Sequence, residues 1–139
     1  MLRHILNNML TYYKSRVASI LATVETATLS TAGPAGTQAR HYPCEAQGLL
    51  LYLLLPSMSD QLLNLEQNGA AVITTPSWML RGEGRVLALT DGPDSLRLPK
   101  SAAAGGCMLV EIRPWQLQVY RENGWGFSET IDFDPVLET

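Results

Sequence analysis

Gly48-Leu49-Leu50-Leu51-Tyr52-Leu53-Leu54-Leu55-Pro56 is the stretch on which the fold turns. Leucine alone would permit a helix, but seven apolar residues between a glycine and a proline have the length of a strand. The absence of a polar residue at alternate positions makes it a strand buried on both faces, inside a barrel or sheet. The run is far short of the roughly 20 apolar residues that a membrane-spanning helix requires.

Outward from this strand the chain is punctuated by turns. Upstream, Ala27 to Ala32 reads as a strand, Gly33-Pro34-Ala35-Gly36 as a reversal, Thr37 to Glu45 as the returning strand and Ala46-Gln47-Gly48 as a second turn. Before them, Ile5, Leu6, Met9, Leu10, Tyr13, Val17, Ile20, Leu21 and Val24 follow the three-and-four spacing of one helical face, giving an N-terminal helix within residues 1–25. Downstream, Ser57 or Ser59 caps a short helix to about Gln67, which Asn68-Gly69 ends. Ala70 to Thr75 is a fourth strand and Trp78 to Thr90 a bent fifth, with Gly82 and Gly84 marking a bulge. Asp91 to Gly106 reads as a loop. Cys107 to Arg113 and Leu117 to Arg121 read as two strands, and Asn123-Gly124 as a hairpin turn before a last strand near Trp125 to Phe133. The expected architecture is a mainly β, α+β domain over residues 1–139. It is a six- to seven-stranded antiparallel split barrel with an N-terminal helix and a short helix after strand three.

With 139 residues the chain suits one domain, and 46% hydrophobic residues supply a core. Ten basic against 13 acidic residues leave a net charge of −3, so no positive field exists to hold nucleic acid. No secretory leader is visible, and the expected address is cytoplasmic. Cys44 and Cys107 lack metal-ligand spacing and are expected to be buried thiols, with no metal site.

The segment most suggestive of chemistry is Pro56-Ser57-Met58-Ser59-Asp60-Gln61, where strand three gives way to a helix N-terminus. Such a terminus offers unpaired N–H groups and a positive dipole end to a phosphate. Ser57 and Ser59 would add hydroxyls, although a serine there is also the usual helix cap and Asp60 already answers the dipole.

Ala27-Thr28-Leu29-Ser30-Thr31, the Gly-Pro-Ala-Gly turn, Gln38-Ala39-Arg40, the leucine strand, and Ser59 with Asn64-Leu65 together resemble the pyridoxamine 5'-phosphate oxidase-like FMN-binding split-barrel superfamily. The resemblance implies a homodimer with a cleft at the subunit interface, and FMN as cofactor for oxidoreductase chemistry on a small substrate. It places Arg40 and Ser59 at the flavin phosphate. Gln61 stands where many members have a lysine or arginine, so Gln61→Lys is expected to restore a missing charge. Arg81 and Arg85 are candidates to compensate, and Trp78 and Trp125 to contact the flavin ring. The C-terminal Arg-x-His pair of true pyridoxamine phosphate oxidases has no match, because no histidine follows His41. His4 and His41 are the available imidazoles for haem, the ligand of some relatives. A degenerate dimer without cofactor is the third alternative, motivated by Asp60 and Gln61.

Overall fold

The computed structural model describes residues 2–123 and 125–133, with the side chains of residues 3–10 outside that description. Helix α1 (Leu2–Leu21) precedes strands β1 (Thr26–Thr31), β2 (Gln38–Gln47) and β3 (Leu50–Pro56); helix α2 (Asp60–Gln67) then leads to β4 (Ala70–Thr74), β5 (Trp78–Leu87), β6 (Cys107–Tyr120) and β7 (Phe127–Asp132). The sheet order is β3-β2-β1-β4-β5-β6-β7, and pairing of β3 with β6 closes the first six strands into an antiparallel barrel with β7 as an added strand. Closure pairs both edges of β3, which would otherwise be an apolar template for aggregation.

The leucine strand is buried on both faces for a specific reason. Leu51, Leu53 and Leu55 point into the barrel with Leu29, Ile73, Leu80, Val110 and Ile112. Tyr52 and Leu54 point outward into a second cluster with Leu96, Ala104 and Leu109. The second cluster exists because residues 89–106 are not a plain loop: they form three single 3-10 turns and lay Leu96 and Ala104 over the outside of the barrel. Each fully buried leucine contributes about 2 kcal/mol, so β3 is anchored from both sides. The segment is also tied down by Glu45, whose carboxylate accepts the N–H groups of Arg97 at 2.9 Å and Leu98 at 3.0 Å.

Several boundaries differ from expectation. The two strands expected over 107–113 and 117–121 are one strand, β6. Pro114 lacks an N–H and suggests a break, but the register shifts between Arg81 and Gly82 so that Trp115 is the extra residue and the ladder resumes at Gln116. Gly82 is needed there, since a Cβ would lie 2.5 Å from the Arg113 carbonyl oxygen. β5 ends at Leu87 rather than Thr90, because Leu89–Asp91 coil into the first 3-10 turn. β7 starts at Phe127, leaving Trp125 in the preceding turn; Gly124, half of the expected hairpin signal, lies outside the described residues. α1 ends at Leu21, with Val17 and Leu21 fully buried at its C-terminal end. Cys44 is buried as expected, whereas Cys107 is partly exposed.

Candidate functional site

Strand alternation sets the inner face of β1 and β2: Ala27, Leu29 and Thr31 lie opposite Tyr42, Arg40 and Gln38 respectively. Tyr42 is in the barrel core, and Arg40 and Gln38 continue the same row toward the open end, where α2 begins. A cleft of about 510 Å³ opens there, lined by Gln38, Arg40, His41, Tyr42, Met58, Ser59 and neighbouring residues. Arg40 and Ser59, which the family resemblance places at one phosphate, both line this cleft. Among the described residues the Arg40 guanidinium makes no hydrogen bond or ion pair, so its five donors are free. The nearby Asp60 carboxylate instead receives Gln38 Nε2 at 3.4 Å.

Ser59 is the N-cap of α2: its Oγ accepts the Gln61 N–H at 3.3 Å, and Asp60 follows in the first turn. Gln61 does not face the cleft. Its side chain is fully buried; Nε2 donates to the Leu29 carbonyl at 2.8 Å, to Thr31 Oγ1 and to the Gln38 carbonyl, while Oε1 accepts the Tyr42 hydroxyl at 2.6 Å. Asn64, one turn on, donates to Thr31 Oγ1 and the Gly36 carbonyl and accepts the Ala35 N–H. The β1–β2 turn therefore rests directly on α2, and a Cβ on Gly33 would come within 2.8 Å of Asn64 Oδ1. The two amides act as internal rivets between helix and barrel. Gln61→Lys would place a charge inside the protein rather than at a ligand.

The other expected site residues lie elsewhere. Trp78 is a core residue, 4% exposed, and Trp125 is 84% exposed in the β6–β7 turn. Arg81 and Arg85 project from the outer face of β5, where Arg85 Nε donates to Glu111 Oε1 at 2.9 Å, and neither lines the cleft. Ser57 is exposed, with its N–H donating to the Gly106 carbonyl. His41 points opposite Arg40, with Nδ1 3.2 Å from Thr28 Oγ1, yet its edge lines the cleft. The side chain of His4 is outside the described residues. Sequence reasoning missed Gln38 and Tyr42, although period-two alternation from Arg40 already puts both on its face.

Burial pushes the Cys44 thiol up to about 12, so this thiol is not poised as a nucleophile near neutral pH. Among the described residues no grouping of histidine, cysteine and carboxylate side chains suits a metal ion. No described helix is long and apolar enough to cross a membrane.

A closed six-stranded antiparallel barrel with one helix ahead of it and one after strand three is the split-barrel fold of the pyridoxamine 5'-phosphate oxidase-like proteins. Solved structures with this fold superpose on the chain at low sequence identity. One is a protein from Clostridium acetobutylicum related to general stress protein 26, of the pyridoxinephosphate oxidase family (TM-score 0.61, 13% identity, covering 91% of this chain and 96% of that one). An F420 reductase matches at TM-score 0.56 and 18% identity over 71% of this chain and 93% of its own. A heme binding protein from Mycobacterium smegmatis matches at TM-score 0.59 and 17% identity, over 86% of this chain and 56% of its own. No protein-family model and no curated protein sequence matches the chain.

Proposed function

We propose that the protein is an FMN-binding flavoprotein that carries out oxidoreductase chemistry on a small substrate, with the phosphate end of the flavin in the cleft between β2 and α2. The observation that carries this reading is the Arg40 guanidinium, without a hydrogen-bond or ion-pair partner among the described residues, on the same cleft as the start of α2. Its donors suit a phosphate in number and planarity, and a charge-assisted pair is about twice as strong as a neutral hydrogen bond. The dipole of α2 adds to it, and the Asp60 carboxylate is held by Gln38. These residues fit one anionic group. FMN would supply hydride or electron transfer, and the chain supplies anchoring at Arg40 and a rigid floor at Tyr42 and Gln61. The neighbours of the same fold include a protein of the pyridoxinephosphate oxidase family and an F420 reductase, which supports a redox cofactor.

Haem is the second reading. His41 lines the cleft beside Met58, which is 91% exposed, and histidine and methionine are both axial haem ligands. A neighbour of the same fold is a heme binding protein. The spectrum of freshly purified protein, followed by titration with FMN and with haem, separates the readings. Two flavin bands are expected; a Soret band favours haem, and silence with both ligands favours a dimer that has lost its cofactor.

The same reading makes the protein a homodimer with the cleft at the subunit seam. Trp125 and Trp115, 84% and 45% exposed, are large apolar surfaces that suit such a seam. Light scattering is expected to give a dimeric mass at micromolar concentration, consistent with an interface of about 2,000 Å² or more. A monomer there would remove the intersubunit site.

A further inference from the structure

Residues 92–104 lie over the outside of the barrel, and their attachment differs in kind from the ladders beneath them. Within this stretch only Leu96 and Ala104 are buried, both in the cluster with Tyr52, Leu54 and Leu109. Its backbone hydrogen bonds are its own: N–H groups of Leu96, Lys100, Ser101 and Ala104 donate to the carbonyls of Pro93, Arg97, Leu98 and Ser101. Among the described residues its hydrogen bonds to the strands run through two side chains of β2, apart from a weak one from the Cys107 thiol to the Ala103 carbonyl where the stretch rejoins β6. Glu45, 8% exposed, accepts the Arg97 and Leu98 N–H groups, while Gln47 donates to the Glu45 carboxylate at 3.2 Å and accepts the Ser95 hydroxyl at 2.8 Å. The Arg97 guanidinium, 4.0 Å from that carboxylate and 90% exposed, adds little. Beside this clasp the packing is open: a cavity of about 310 Å³ runs along the seam, with Cys44 and Glu45 on the barrel side and Arg97, Leu98 and Ser101 on the other. At the far end the Gly106 carbonyl is held by the Ser57 N–H at 2.9 Å, whereas a Cβ on Gly105 would meet nothing within 4 Å, so the chain is free to turn there. A stretch that keeps its own hydrogen bonds when detached, and grips the barrel through two apolar side chains and one carboxylate, opens more easily than strands joined by ladders. Opening also returns the half-stripped Glu45 carboxylate to water, which lowers the cost further.

We propose that residues 92–104 are a strap that lifts from the folded barrel as one unit, turning at Gly105 with the Glu45 carboxylate as its clasp, and so gates exposure of the apolar face formed by Tyr52, Leu54 and Leu109. The proposal is independent of what the cleft between β2 and α2 binds.

The test perturbs each end of the strap and reads the other, by residue-resolved amide exchange of the full chain and by thiol labelling. In the parent, the Arg97 and Leu98 amides are expected to exchange about 100-fold or more faster than the amides of the β3–β6 ladder, through an opening that leaves the ladder intact. Ala104→Asp forces a charge into the apolar contact seven residues from the clasp. It is expected to speed exchange at Arg97 and Leu98 by about ten-fold or more without touching either bond, while the ladder amides keep their rates. For the converse, Ala104→Cys is made with Cys107→Ser, which keeps a donor toward Ala103, and labelling at position 104 by a maleimide is followed by peptide mass. Adding Glu45→Gln, which removes the charge from the clasp, is expected to speed that labelling by about ten-fold. Should Ala104→Cys disturb the packing, Ala104→Asp still decides through the native amides. Exchange at Arg97 and Leu98 as slow as in the ladder overturns the proposal. So does an Ala104→Asp effect that stops short of the clasp, or a Glu45→Gln effect confined to Arg97 and Leu98, because either would mean local fraying and not a unit. Equal acceleration of strap and ladder amides overturns it too, since the strap would then open only with the barrel.

Discussion

Gln61→Lys is expected to destabilise the protein by about 3–5 kcal/mol, the loss typical of an uncompensated charge placed in a buried network. The glutamine is fully buried and its amide connects four partners on β1 and β2. A lysine keeps donors but offers no acceptor, so the Tyr42 hydroxyl loses its partner at 2.6 Å. The ammonium would have to shed most of its hydration against carbonyl groups that already repay only part of that cost. Against a total stability of about 5–15 kcal/mol, this is a large fraction. Urea denaturation followed by tryptophan fluorescence should show the midpoint falling by about 1 M or more, given a slope of about 1–3 kcal/mol per M. An unchanged midpoint together with tighter FMN binding would mean that residue 61 turns toward the cleft, as the family resemblance alone suggests.

That resemblance matches residue types along a line, and it carries no information about which way a side chain turns on the first turn of a helix. Gln61 follows the cap by two residues, and its direction is set by Leu29, Thr31, Gln38 and Tyr42, which arrive from β1 and β2 far away in sequence. The barrel itself was more legible. Bracketing by Gly48 and Pro56 and an unbroken apolar run settle β3 locally, and the turn residues around it order β1, β2 and α2. Asp91 to Gly106 reads as a loop in the sequence because 3-10 turns have no periodic signature of their own, and the burial of Leu96 and Ala104 depends on β3 presenting an outer apolar face. β6 was divided in two at Pro114 because proline normally interrupts a ladder, and only the bulge opposite Gly82 shows how it is accommodated. Arg81, Arg85 and Trp78 were drawn toward the site by their chemistry. Alternation along β5 sends the arginines outward and the tryptophan into the core.

Arg40→Ala is expected to leave stability within about 0.5 kcal/mol of the parent, since the side chain is exposed and makes no contact that folding requires. Its effect on FMN is expected to be large. A hydrogen bond to a charged group contributes about 1.5–3 kcal/mol, so the dissociation constant should rise by about ten-fold to more than a hundred-fold. Ser59→Ala should show the contrasting pattern. Loss of the cap costs about 1 kcal/mol of stability, while phosphate binding changes by only a few-fold, because the Ser59 hydroxyl is already engaged by Gln61 and Tyr42. Salt provides an independent check. FMN binding by the parent should weaken as ionic strength rises, and much of that dependence should disappear with the arginine, because among the described residues no other lysine or arginine lines the cleft. If Arg40→Ala binds FMN as the parent does, with the same salt dependence, the phosphate is not at Arg40, and the outer-face arginines Arg81 and Arg85 would have to be tested in its place. A rise confined to Ser59→Ala would instead show that the helix terminus, rather than the guanidinium, holds the anion.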